Sequence, residues 1–282
     1  VPDGAFMIDR RMGMYGHPLD IEVLFDAALR SSREILGIDA SQDDKKYIKR
    51  IDDRIGYLVD HIRADYWIDP TRLNSIYRYE TEQFGDEIAN KYNIHVSSIP
   101  NWVYQWMPEN SGYFLGNIGP GRMDFRFLTV GNLLAVLTSL AERSQQEKIL
   151  RLLEVNWEVL VGSMPIKLCY PALEGKAWHM LTGADGKNTS WSYHNGGNWP
   201  TLLWLLIAAA VKMNNKSMAI KAMQIAAKRL STDDWPEYYD GRFGNLIGKE
   251  ARKKQVWTAA GFIAAHSILE NPDKIKLLIF DN

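Results

Sequence analysis

The sequence has little that would tie it to an oxidising compartment, a membrane or nucleic acid. Its single cysteine, Cys169, cannot form an internal disulfide, so nothing requires an oxidising environment. No uninterrupted apolar stretch approaches the roughly 18 residues needed to cross a bilayer. The longest, Leu202 to Val211, is too short. A surplus of one charge is also missing. The 33 Lys and Arg against 34 Asp and Glu leave a net charge of −1. That excludes a chain that grips nucleic acid by bulk electrostatics, and one kept unfolded by self-repulsion. Six histidines are scattered without a pair at three or four residues, and one thiol makes no thiolate cluster, so no metal site is expected. The first residues show no basic-then-apolar leader. The expected setting is cytoplasmic, with neither a membrane nor a nucleic-acid partner.

Familiar cofactor loops are missing too. Gly116, Gly119 and Gly121 have the wrong spacing for a dinucleotide loop. Gly186-Lys187 lacks the earlier glycine and the following Ser/Thr of a phosphate loop. What is abundant is aromatic: 10 Trp, 13 Tyr and 9 Phe, many beside Gly, Asn, His and Pro rather than inside apolar runs. Aromatics with one wet edge suit binding surfaces, although a large helical core would also absorb them.

Most of the 282 residues read as helix. After Pro18 an apolar face runs from Leu19 to about Leu36, with Gly37 as a stop. Tyr47, Ile48, Ile51, Ile55, Leu58 and Ile62 stripe a second helix from about Asp43 past Tyr66. Short helical turns are expected near 83–92 and 102–107, inside a Pro- and Gly-containing stretch. Further helices are expected over 125–143, 145–161, 173–181, 199–213, 216–230 and 249–270. Short turns such as Asn214-Asn215 join neighbouring helices, which is the pattern of helical hairpins. No alternation long enough for a sheet core is apparent, and 275–280 reads as a short strand or extended cap. The expectation is an all-α chain forming one domain.

Three polar, aromatic clusters interrupt the helices. The first runs from Asp3-Gly4 through Ile8-Asp9-Arg10-Arg11-Met12-Gly13 to His17. The second is Trp191-Ser192-Tyr193-His194-Asn195-Gly196-Gly197-Asn198-Trp199-Pro200. The third is Asp233-Asp234-Trp235-Pro236-Glu237-Tyr238-Tyr239-Asp240-Gly241. Together they supply carboxyls, amides for hydroxyl groups and flat rings for sugar C–H faces. Glycoside hydrolysis needs one carboxyl as acid and another as base. The plain alternative is that Asp9 and Glu237 cap helices or pair with arginines.

The strings MIDRRMGMYGHPLDIEVLF, WSYHNGGNWP and WPEYYDGRFGNLIGKEARKKQVWTAAGF resemble the alkaline/neutral invertases, glycoside hydrolase family 100, from Val1 to about Pro272. The resemblance implies an (α/α)6 toroid of six helical hairpins. It also implies hydrolysis of sucrose to glucose and fructose, with inversion and no cofactor. On that resemblance Asp9 is the general acid, with Asp3 and Asp20 as competitors, and Glu237 is the general base, with Asp240 as competitor. Arg10, Trp178, His194, Asn198, Trp199, Tyr238, Arg252 and Gln255 are the candidate sugar-binding residues. Opposed to that, His194 and Asn198 would tie down their own loop, and Arg252 would sit on a solvated basic face. Twelve helices are needed and about eight are legible. The chain is therefore expected to be the C-terminal portion of such a toroid, lacking the family's N-terminal section, and to be completed by self-association or a partner fragment. Two readings of its role remain: a sucrose-cleaving enzyme or related α-glucoside hydrolase, and a non-catalytic assembly module.

Overall fold

The computed structural model describes residues 16–73, 99–119 and 122–280, with backbone alone at 5–6, 10–11 and 122. The expected helix at 83–92 lies outside the described residues. The chain is helix-rich. Four helices form an arc: α1 (Leu19–Gly37), α4 (Thr129–Leu137), α8 (Leu203–Lys212) and α10 (Val256–Glu270). In this arc α1 packs on α4, α4 on α8, and α8 on α10. Outside it, α2 (Gln42–His61) covers α1 and α9 (Lys216–Arg229) covers α8. The smaller helices are α3 (Asn101–Trp106), α5 (Arg143–Val155), α6 (Trp157–Leu160) and α7 (Gly175–Thr182).

The burial pattern follows the sequence period. α2 starts at a capping box: Ser41 Oγ accepts from Asp44 N at 3.2 Å, and the Asp44 carboxylate accepts from Ser41 N at 2.9 Å. Its apolar stripe turns Ile55, Leu58 and Val59 inward. The inner helices α4 and α8 are apolar nearly all round, as helices enclosed by neighbours must be. At Gly261 of α10 an added Cβ would lie 2.5 Å from Thr201 O, so α10 reaches the backbone before α8 only because no side chain intervenes. α10 is equally apolar, yet it buries only Thr258, Gly261, Ala265 and Ile268, and Val256 and Ile263 stand 78% and 66% exposed.

The expectation of no sheet is corrected. Five short strands form an antiparallel sheet: β3 (His17–Pro18), β4 (Trp67–Ile68), β5 (Tyr113–Gly119), β6 (Arg122–Leu128) and β7 (Cys169–Tyr170). β3 and β4 both pair with β5, β5 with β6, and β6 with β7. A separate two-stranded piece pairs β1 (Ala5–Phe6) with β2 (Arg10–Arg11). The stretch expected as helix 125–143 thus opens as β6, and α4 begins at Thr129. The signal was Met123, Phe125 and Phe127 alternating with Asp124 and Arg126, a period of two. The last long helix begins at Val256 rather than 249, because Arg252, Lys254 and Gln255 give their N–H groups to residues 234–237 instead of to a helical turn. The tail is a 3-10 helix, Pro272–Leu277, started by the Asn271 side chain accepting from Asp273 N at 3.2 Å, and not a strand.

Candidate active site

Three loops meet before α8 and α10, at residues 183–199, 233–241 and 249–255. The first is rich in Gly, Asn, Ser and Thr, whose short side chains satisfy the backbone where no ladder does. Asn188 Oδ1 accepts from His194 N at 3.0 Å, and Asn195 exchanges two bonds with Leu173, at 2.6 and 2.9 Å. The second loop lies against it backbone to backbone. Asn198 N donates to Tyr239 O at 2.9 Å, Tyr239 N returns to Asn198 O at 2.8 Å, and Gly241 N donates to Trp191 O at 2.7 Å. The approach is so close that a Cβ on Gly241 would sit 1.7 Å from Gly196 O. The third loop straps the second: Glu237 N donates to Arg252 O, Lys254 N to Asp234 O and Gln255 N to Trp235 O, at 2.7–2.9 Å.

This packing is strained locally. Of eleven non-glycine residues with positive φ among those described, seven lie in these loops: Ala184, Trp191, Tyr193, Asp234, Trp235, Glu250 and Lys254. Such conformations each cost about 1–3 kcal/mol and gather at functional sites.

Glu237 is 6% exposed. Its Oε2 lies 3.6 Å from Lys187 Nζ and 3.4 Å from Arg252 N. Lys187 Nζ in turn stands 4.0 Å from the centre of the Tyr193 ring. Behind this group the rings pack in series. Tyr193 stacks on His194 at 4.1 Å, His194 lies 5.4 Å from Trp199, and Trp199 stacks on Tyr238 at 5.6 Å. Tyr238 Oη donates to Lys249 O at 2.5 Å and shares a 3.0 Å bond with Ser192 Oγ. Burial pushes its phenol up to about 12, so it stays a neutral hydroxyl at neutral pH.

The candidates thus fall into three groups. Glu237, Tyr238, His194, Asn198, Trp199, Arg252 and Gln255 are brought together in the three loops. His194, Asn198, Trp199 and Tyr238 are all buried there. Asn198 donates to the carbonyls of Val161 (3.0 Å) and Met164, and Trp199 Nε1 to Tyr193 O at 3.0 Å. Arg252 meets Glu237 through its backbone, and Gln255 is the residue before α10. Asp240, the competitor of Glu237, is half-buried and caps its own turn, Oδ1 accepting from Arg242 N at 2.9 Å. Trp178 stands apart on α7, a helix that runs beside β2 and hence beside the Arg10 backbone. Asp9 and Asp3 lie outside the described residues. Asp20 is buried where α1 meets α4, Oδ1 accepting from Gly131 N at 2.6 Å. Burial pushes its carboxyl up to about 7, against the opposing pull of that N–H.

Two cavities open on either side of Trp191. One, of about 450 Å3, is lined by Trp102, Asp124, Arg126, Glu174 and α7. The other, of about 490 Å3, is lined by Glu158, Ser163, Lys167, Tyr170 and Arg242. Glu237 lines neither and faces Lys187 instead. Sequence reasoning passed over Lys187, having set it aside as part of a failed phosphate loop. Cys169 is buried, its thiol pushed up to about 11 by burial. Among the described residues no group of three or more His, Cys, Asp or Glu is placed to hold a metal ion, and no helix is long and apolar enough to cross a membrane.

A helical arc carrying its loops before the inner helices, with the buried Glu237 carboxylate among stacked rings, makes this a helix-rich protein with one candidate site. The comparison with known proteins is specific. The family model for alkaline and neutral invertase matches residues 1–272, and the chain belongs to that family. It is 48% identical over 281 residues to "Alkaline/neutral invertase C, mitochondrial" of Arabidopsis thaliana, covering 100% of this chain and 42% of the relative. It is 50% identical to "Probable alkaline/neutral invertase A, chloroplastic" of the same plant, with 100% and 44% covered. Against "Cytosolic invertase 1" of Oryza sativa subsp. japonica it is 48% identical, with 98% and 49% covered. The chain spans about half the length of these relatives.

Proposed function

We propose that this chain carries the general base of a sucrose-hydrolysing site and acts with inversion of the anomeric carbon. Family membership and the relatives' name of invertase support the reaction class. The observation that carries the reading is Glu237 itself. It is a nearly buried carboxylate whose Oε2 is met by Lys187 Nζ and Arg252 N. Neither contact engages Oε1, which is left to take a proton from water.

In this reading Glu237 draws a proton from a water molecule as that water attacks the anomeric carbon. A second carboxyl, Asp9 by resemblance, gives its proton to the leaving glycosidic oxygen from the opposite side. The two must stand roughly 6.5–9.5 Å apart to admit the water. Trp178, on α7, and Arg10, on the adjacent strand β2, are the proposed sugar contacts on the acid side. The four-helix arc is the proposed share of an (α/α)6 toroid, one catalytic domain, and its apolar ends at α1 and α10 are where the toroid would continue. The free face of α10 also favours a second reading, an assembly module without turnover. A cytoplasmic setting agrees with the lone, buried thiol.

The test is a proton NMR time course of sucrose with the purified chain and with Glu237→Gln. Glucose appearing first as the β-anomer, and a loss of about 10²–10⁴-fold in the variant, are expected for a general base. Cleavage undiminished in Glu237→Gln would sink the assignment, and a folded chain that leaves sucrose intact would favour the assembly reading.

A further inference from the structure

The 183–190 loop reaches Glu237 with one side chain, and neither the sequence motifs nor the cleavage chemistry assigns that side chain a task. Lys187 is nearly enclosed, its side chain 14% exposed. Its loop is fixed from three sides. Lys187 N donates to Asp185 Oδ1 at 2.9 Å, Lys249 Nζ donates to Gly186 O at 3.0 Å, and neighbouring Asn188 holds His194 N at 3.0 Å. The ammonium sits 4.0 Å above Tyr193 and 3.6 Å from Glu237 Oε2. Tyr193 holds that ring in place with a positive φ of 49° and a stack on His194.

We propose that Lys187 is the positioning residue of Glu237. Its ammonium, seated on the Tyr193 ring, pins Oε2 so that Oε1 alone faces the reacting water. The proposal rests on the assignment of Glu237 as base. The geometry suits lysine, a compact charge that can meet a ring face with one side and a single carboxylate oxygen with another. An ionised carboxylate this enclosed is costly without a nearby cation. Among the described neighbours, Lys187 is the side chain that supplies one in contact. Arg252 contributes its backbone N–H, Lys249 is turned to Gly186, and the further charges near Tyr238, Glu250 and Asp240, are negative. No bond to carbon is made or broken at Lys187, and it neither gives nor takes the transferred proton.

The experiment compares Lys187→Met, which keeps the stem on Tyr193 without the charge, with Lys187→Arg, which restores the charge. Each is checked for folding by its melting curve. The chain is labelled with 13C at glutamate side-chain carboxyls, and the Glu237 signal is identified by its loss in Glu237→Gln. The expected result is that the Glu237 carboxyl 13C signal at neutral pH moves in Lys187→Met, and back toward the parent in Lys187→Arg. An unmoved signal overturns the proposal, whether or not the chain turns over sucrose. With sucrose, Lys187→Met is expected to lower kcat at least tenfold with KM within about threefold. A change confined to KM would place Lys187 on the sugar and overturn the positioning role. A parent chain that cleaves no sucrose counts against Glu237 as base, while the carboxyl signal still decides the Lys187 contact. If Lys187→Met does not fold, the 15N signal of the Lys187 ammonium in the parent chain decides. Glu237→Gln must move it, and an unmoved signal overturns the proposal.

Discussion

Replacing Asp20 by asparagine should change how stability depends on pH. Asp20 is buried between α1 and α4, its Oδ1 accepts from Gly131 N at 2.6 Å, and its Oδ2 has no hydrogen-bond partner among the described residues. Burial raises its carboxyl from 3.8 to about 7. Between those values the folded chain holds a proton that the unfolded chain has released. Stability from this group is therefore present at low pH and is lost as pH rises from about 4 to about 7. Three pH units correspond to about 4 kcal/mol at most. Asparagine keeps the acceptor for Gly131 and cannot ionise. Urea unfolding of both proteins at pH 5 and pH 8 isolates the effect, because every other titrating group is shared. The parent should lose about 2–3 kcal/mol more than Asp20→Asn across that interval, where about two of the three pH units fall. Parallel behaviour of the two proteins would refute the reasoning and mean that Asp20 reaches water in the folded state.

The loops of the site admit two further tests. Gly241→Ala would place a Cβ 1.7 Å from Gly196 O, so the second loop must part from the first, with a loss of about 2–4 kcal/mol in chemical unfolding. Asn198→Ala leaves the buried carbonyls of Val161 and Met164 without their amide donor, and a fall of about 2–3 kcal/mol is expected in the same assay. A change under about 0.5 kcal/mol in either would show that the loops are held by something other than these contacts.

The helical hairpins were legible because their burial repeats every three or four residues, as in Ile55, Leu58, Val59 and Ile62. The sheet was less legible. β6 does alternate, but Arg126 is buried with its charge paired to Asp124, so hydrophobicity alone under-reports what the strand encloses. The segment 249–255 reads as helix from composition. Its backbone donors are drawn away by loop 233–237, a long-range preference that local propensity does not contain. At the site, Glu237 stood out through its aromatic, glycine-rich surroundings. Lys187 did not, because Tyr193 meets it only once its own loop has folded and Glu237 only once a second loop has joined it. Gln255 and Arg252 were singled out as side chains, whereas the bonds that connect them to loop 233–237 are made by their main chain.

That last feature bears on how freely the site can vary. Glu237 is located by peptide groups: its own N–H on Arg252 O, with Lys254 N on Asp234 O and Gln255 N on Trp235 O. Any residue except proline at 252 or 255 offers the same donors and acceptors, and at 254, where φ is 54°, any residue that tolerates the left-handed region does. Side chains at 252–254 are exposed, so they can be exchanged without moving the carboxylate. The strap therefore separates two kinds of inheritance. The place of the proposed base is carried by the chain's path, and the chemistry around its rim by side chains that the path does not depend on.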